Sequence, residues 1–233
     1  LNDTSHKYQG RLERLIEELQ PQIGAIGVSE ELLKLYEREL PKIKEYIAQK
    51  LRGLNVPHKV ISYIKTFYEK WLLDPWNTCA GYLKRNLSIN FIDDPAYAKE
   101  LFDSAFNRLR QEVSNIVRNP PSKDRMNNLS LSDMNKRVEE ETKIRCKMDS
   151  EMIRNPDPMF LLGNLASSRP IKSKYMADRI VDIERDNKYK NVCCFLEPFH
   201  LFDDPLGETL YSNLKDRRVN RRLIYDPFLE EDK

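Results

Sequence analysis

Histidine and cysteine are the side chains of this chain best suited to nucleophilic or metal chemistry, and three of them lie close together. Cys193 and Cys194 precede His200 by a few residues, so one short segment carries two thiols and an imidazole. Adjacent cysteines rarely reach the same tetrahedral zinc ion, and the segment offers no fourth ligand. We therefore predict no metal, with both cysteines acting as small apolar side chains.

The remaining candidates for catalysis have simpler structural interpretations. The carboxylate pairs Asp93-Asp94 and Asp203-Asp204 each precede a proline, which is typical of turns and helix caps. The chain has only 7 glycines, whereas phosphate-binding loops and nucleophile elbows are rich in glycine. No nucleophile, base and orienting group can be assembled from the sequence. We predict no catalytic residue and no cofactor.

A basic cluster near the C-terminus permits two interpretations. Its side chains are Lys215, Arg217, Arg218, Arg221 and Arg222, and Tyr211 and Tyr225 flank them. Aromatic rings among arginines are typical of RNA-binding or ribonucleoprotein components. Alternatively, the arginines pair with acidic surfaces of partner proteins. The formal net charge is only +2, and this near-neutral balance favours the protein-binding interpretation.

The elements that must position these residues are predicted to be helices. In residues 1–118 apolar side chains recur at helical spacing, with Ser29 and Asp94 placed as N-caps. A break or kink is expected at Pro41 and a helix end at Asp74-Pro75. This pattern predicts an antiparallel bundle. The side chains expected to be buried in it are Ile61, Ile64, Phe67, Trp71, Leu101, Phe102, Ala105 and Leu109.

Residues 119–233 have a different character. Isolated helices are predicted at about 133–153, 172–186 and 207–216, and short aromatic groups between prolines and charges occupy much of the rest. No segment alternates as a strand would. The predicted fold class is therefore all-α: an N-terminal amphipathic helical bundle followed by an extended, partly helical C-terminal half. Ordering costs about 1–2 kcal/mol per residue, so we expect partner proteins to supply the missing burial.

We accordingly predict a non-catalytic structural or scaffolding subunit of a large multi-protein assembly, bound to the other protein subunits of a hetero-oligomeric complex. No apolar run approaches the roughly 20 residues of a membrane-spanning helix. Unpaired cysteines favour a reducing intracellular compartment. Leu1 in place of methionine would fit a removed transit peptide, which favours a supernumerary subunit of a mitochondrial energy-converting complex. The residues expected to contact partners are Phe195, Phe199, Phe202, Tyr211, Arg217, Arg218, Arg221, Arg222, Tyr225 and Phe228.

Overall fold

A computed structural model describes most of the first half of the chain and three main segments of the second half. The described residues are 13–120 except 15, 55 and 86; the single positions 130, 132, 133, 136, 140, 144 and 151; and 169–187, 191–196, 200–201 and 208–220. Trp71 lies in a described helix, but its side chain is outside the described set. None of the described helices is long and apolar enough to cross a membrane.

The described elements are mainly helices, with three short strands among them. In chain order they are β1 (Ile23–Ile26), α1 (Glu30–Arg52), α2 (His58–Leu83), β2 (Ser88–Phe91), a 3-10 turn (Pro95–Tyr97), α3 (Ala98–Arg118), α4 (Arg169–Asp186), β3 (Val192–Phe195) and α5 (Leu210–Asp216). The protein is therefore mostly helical, as predicted, but it also contains a small parallel sheet that the all-α prediction missed.

The predicted caps begin the helices where expected. The Ser29 hydroxyl accepts from the backbone N–H of Leu32 at 3.3 Å at the start of α1. Asp94 accepts from the N–H of Ala96 at 2.9 Å and begins the 3-10 turn that leads into α3. These side chains satisfy backbone donors that have no partner within the helix.

The predicted helix end at Asp74-Pro75 is wrong, and no break occurs at Pro41, where a break or a kink was predicted. α1 continues through Pro41, and α2 continues through Asp74-Pro75 to Leu83. An interior proline costs about 3 kcal/mol in an isolated helix. In α1 the apolar residues on both sides of Pro41, including Leu33 and Ile47, are fully buried, and this burial offsets the lost hydrogen bond.

Helices α1, α2 and α3 form the predicted bundle. Its core includes Leu51 from α1, Leu72 from α2 and Val113 from α3. Of the side chains predicted to be buried, Ile61 and Leu109 are buried. Those that are only partly buried are Ile64, Phe67, Leu101, Phe102 and Ala105.

The sheet has the order β2-β1-β3, and both pairs are parallel. Ile23 and Ala25 of β1 pack in one apolar cluster with α4 and α5. Ile26 packs in the other, with residues of α1, α2 and α3. The sheet is thus a middle layer with helices on both faces, as parallel sheets require.

The C-terminal segments that the structure describes fold back onto the first half, so the prediction of an extended path is wrong for them. β3 pairs with β1 in register Ile23↔Val192 to Ile26↔Phe195, and Leu210 and Leu214 of α5 share a buried cluster with Ile23. The sequence pattern could not show this folding back, because the contacts are non-local. Apolar groups that look isolated in the sequence pack on β1 and on one another. The helices predicted at 172–186 and 207–216 are confirmed as α4 and α5. The helix predicted at 133–153 lies largely outside the described residues.

Candidate functional site at the carboxyl edge of the sheet

The carboxyl ends of the three parallel strands meet at one edge of the sheet. β1 leads there into Ser29, β2 into Asp93, and β3 into the segment that carries His200. In open parallel sheets ligands bind outside this edge, where neighbouring strands are connected in opposite directions. The order β2-β1-β3 puts such a position between β1 and β3. We therefore take the polar side chains at this edge as the candidate site.

An ion pair forms one part of the site. Asp93 Oδ2 lies 3.6 Å from Lys172 Nζ, and the two side chains are only 5% and 8% exposed. Asp93 Oδ1 accepts from the N–H of Asp94 at 2.9 Å, and the ammonium lies 5.3 Å from the centroid of the Tyr97 ring. Burial raises the pKa of Asp93, although the Lys172 charge pulls this pKa down. Desolvation outweighs the ion pair, so the ionised form of Asp93 is less favoured than that of an exposed aspartate.

A serine and a histidine form the second part. Ser173 Oγ lies 2.8 Å from His200 Nδ1, and both residues are 2% exposed. Because Ser173 follows Lys172 on α4, the two polar pairs are neighbours. A serine beside an imidazole is the beginning of a nucleophile and base pair, but enclosure to this degree keeps a bulky substrate away in this conformation. The pair is suited to holding α4 against the segment after β3 and to binding a compact group.

The two adjacent cysteines lie on opposite faces of β3. Cys194 packs with the α4 and α5 cluster, whereas Cys193 lies beside the hydroxyl of Tyr82 on the other face. Burial raises the pKa of both thiols, that of Cys194 to about 12. Side chains that leave a strand in opposite directions cannot share one metal ion. Within the described residues, no group of three or more His, Cys, Asp or Glu side chains could hold a metal.

The predicted partner-binding residues that the structure describes lie on β3 and at α5. Phe195 packs against Tyr82 at a ring distance of 5.1 Å, and Tyr211 is partly buried on α5. Arg217 binds Asp178 of α4 at 2.6 Å and Asn213 at 3.1 Å, while Arg218 is exposed. The other predicted residues are outside the described set: Phe199, Phe202, Arg221, Arg222, Tyr225 and Phe228. Partner binding by these side chains remains a prediction.

Sequence reasoning missed most of the carboxyl-edge residues. Asp93 was interpreted as a turn or cap residue and His200 was considered only as a zinc ligand and rejected, while Lys172 and Ser173 drew no attention. One sequence feature could have pointed to the site: the apolar segment that ends at Ile92 is followed directly by the acidic residue Asp93, which is typical of the end of a buried strand. Comparisons with known proteins found no matching family model, no matching curated protein and no matching solved structure.

Proposed function

We propose that this chain is a non-catalytic structural subunit of a multi-protein assembly and that partner proteins dock on the outer face of its helical bundle. The expectation that partners cover the whole C-terminal half has lost its main support, because the described segments there pack on the chain itself. The proposal now rests on a different observation, a row of aromatic rings on the bundle.

The aromatic row consists of Tyr36 and Tyr46 on α1 and Phe102 and Phe106 on α3. Ring centroids are 5.7 Å apart for Tyr36 and Phe102, 6.0 Å for Phe102 and Phe106, and 5.9 Å for Phe106 and Tyr46. All four side chains are only partly buried. The rings already pack on the bundle core, and covering the apolar area that they still expose would add about 25 cal/mol per Å² to binding.

Cations border the row at one end. Arg110 lies 4.2 Å from the centroid of the Phe106 ring, and Lys50 lies 5.9 Å from that of Tyr46. Aromatic side chains and arginine are enriched at protein interfaces and carry most of their binding energy. This arrangement favours a partner with an apolar patch flanked by carboxylates.

The ribonucleoprotein alternative has weaker support. It depended on the basic cluster, and Arg217 of this cluster is engaged by Asp178 and Asn213. An arginine held by its own protein is less available to a phosphate. We therefore favour protein partners over RNA.

A site-specific photo-cross-linker tests the proposal. The cross-linking residue replaces Phe106 in the row or, as the matched control, exposed Asn107 beside it. In extracts of the native source, we expect position 106 to cross-link reproducibly to one protein species and position 107 not to. The proposal fails if neither position cross-links and the native protein migrates as a free monomer.

A further inference from the structure

Two pairs of polar side chains that are more than nine-tenths buried lie at the carboxyl edge: Asp93 with Lys172, and Ser173 with His200. They come from the end of β2, from α4 and from the segment after β3. Apolar side chains of similar size would stabilise such a junction at least as well as a buried ion pair does. Structural support alone therefore explains this cluster poorly, and buried titratable clusters at strand ends are typical of binding sites.

The position of Lys172 is electrostatically unusual. It is the fourth residue of α4, whose first turn contains no acidic residue. A helix N-terminus carries a positive partial charge, so a lysine there is unfavourable unless an anion is near. The Asp93 carboxylate supplies such an anion, but it only partly compensates the Lys172 charge. The 3.6 Å separation is longer than an N–H···O hydrogen bond of about 2.7–3.2 Å.

We propose that this cluster binds a small oxyanion, either free phosphate or the phosphate group of a small metabolite. Lys172 supplies the charge, and Ser173 donates its hydroxyl hydrogen while its oxygen accepts from His200 Nδ1. Asp93 takes up a proton and donates to an anion oxygen in place of its ion pair with Lys172. Asp94, the carboxylate next to Asp93 in the chain, accepts from the N–H of Ala96. This site is separate from the aromatic row on the bundle.

Thermal unfolding of the full chain in inorganic phosphate, compared with sodium chloride of equal ionic strength, tests the proposal. Phosphate at 100 times its Kd should raise Tm by about 5–10 °C. Lys172→Met should abolish this shift. Asp93→Asn should keep it, because a neutral amide can donate as the protonated acid does. Lys174→Met, which alters an exposed lysine two residues away, is the matched control and should also keep it.

Two further measurements are needed. The first keeps the test valid if Lys172→Met does not fold, and the second identifies the source of the anion. Ser173→Ala should weaken phosphate binding about tenfold or more in calorimetry, as expected for a lost hydrogen bond to a charged group. A small phosphate monoester separates the two ligand sources: a Tm shift with it supports a metabolite, and a shift with inorganic phosphate alone supports the free ion. The proposal is overturned if neither compound exceeds the chloride control, or if Lys174→Met removes the shift as fully as Lys172→Met does.

Discussion

Replacing Lys172 with methionine should destabilise the protein, and replacing Asp93 as well should restore most of the loss. The two side chains are 5% and 8% exposed, so the energetics of a buried pair apply. Removing one partner from such a pair costs about 3–5 kcal/mol, whereas replacing both is often neutral or stabilising. We expect Lys172→Met to cost about 3 kcal/mol and the double variant with Asp93→Asn to lie near the wild type.

The penalty of Lys172→Met should also depend on pH. Burial already raises the pKa of Asp93, and loss of the ammonium removes the charge that lowers it. The pKa of an aspartate in the unfolded chain is about 4. A raised native pKa gives stability that is fully present below the unfolded value and is lost as pH rises through the native value. The penalty should therefore be smaller at pH 5 than at pH 8.

Urea unfolding followed by far-UV circular dichroism measures these free energies. The samples are the wild type, Lys172→Met, the double variant and Lys174→Met as an exposed control. A double variant as unstable as Lys172→Met would refute the coupling between the two side chains. A penalty that is equal at pH 5 and pH 8 would refute the assignment of the raised pKa to Asp93.

Three other outcomes follow from burial. Leu109→Ala, in the bundle core and 3% exposed, should cost about 2–5 kcal/mol, while exposed Asn107→Ala should stay within about 0.5 kcal/mol in the same urea titration. Tyr82→Phe should preserve or raise Tm in calorimetry, because the group beside its buried hydroxyl is the thiol of Cys193, a weak hydrogen-bond partner whose loss costs little. The thiols of Cys79 and Cys194, with pKa values raised by burial to about 11 and about 12, should resist alkylation at pH 8 in the folded protein and react quickly in urea.

The helices of the first half were predictable because their signals are local. Ser29 and Asp94 cap helices through hydrogen bonds to residues two or three positions away, and α3 ends at Arg118, as its apolar stripe predicts. Pro41 does not break α1, because its effect is decided by distant packing. A local penalty of a few kcal/mol is offset where the apolar stripe on both sides, including Leu33, Ile43 and Ile47, is buried.

The sheet could not be predicted because its strands are short and its central strand is buried on both faces. β1 contains four residues, all buried, so no alternation of polar and apolar side chains marks it. Gly24 favoured a loop in the sequence, yet an added Cβ there would lie 3.0 Å from the Tyr82 ring. The glycine is required by close packing of α2 on the strand, a contact between residues far apart in sequence.

The candidate site was hidden for the same reason. Ser173 and His200 are 27 residues apart, and Asp93 and Lys172 are much farther apart. Each side chain has an ordinary local interpretation, and only the parallel pairing of β3 with β1 brings the segments together. Single-sequence periodicity does not contain that information.

Hydrogen exchange on the isolated full chain tests most directly the claim that the C-terminal half completes the sheet. β3 is an edge strand that pairs with β1 on one side, so the alternate β3 amides that point to β1 should exchange slowly, as the amides of β1 and of the buried face of α3 should. Fast exchange throughout 192–195, with strong protection retained in 98–118, would contradict the account. That result would mean that the second half is ordered only when partners bind.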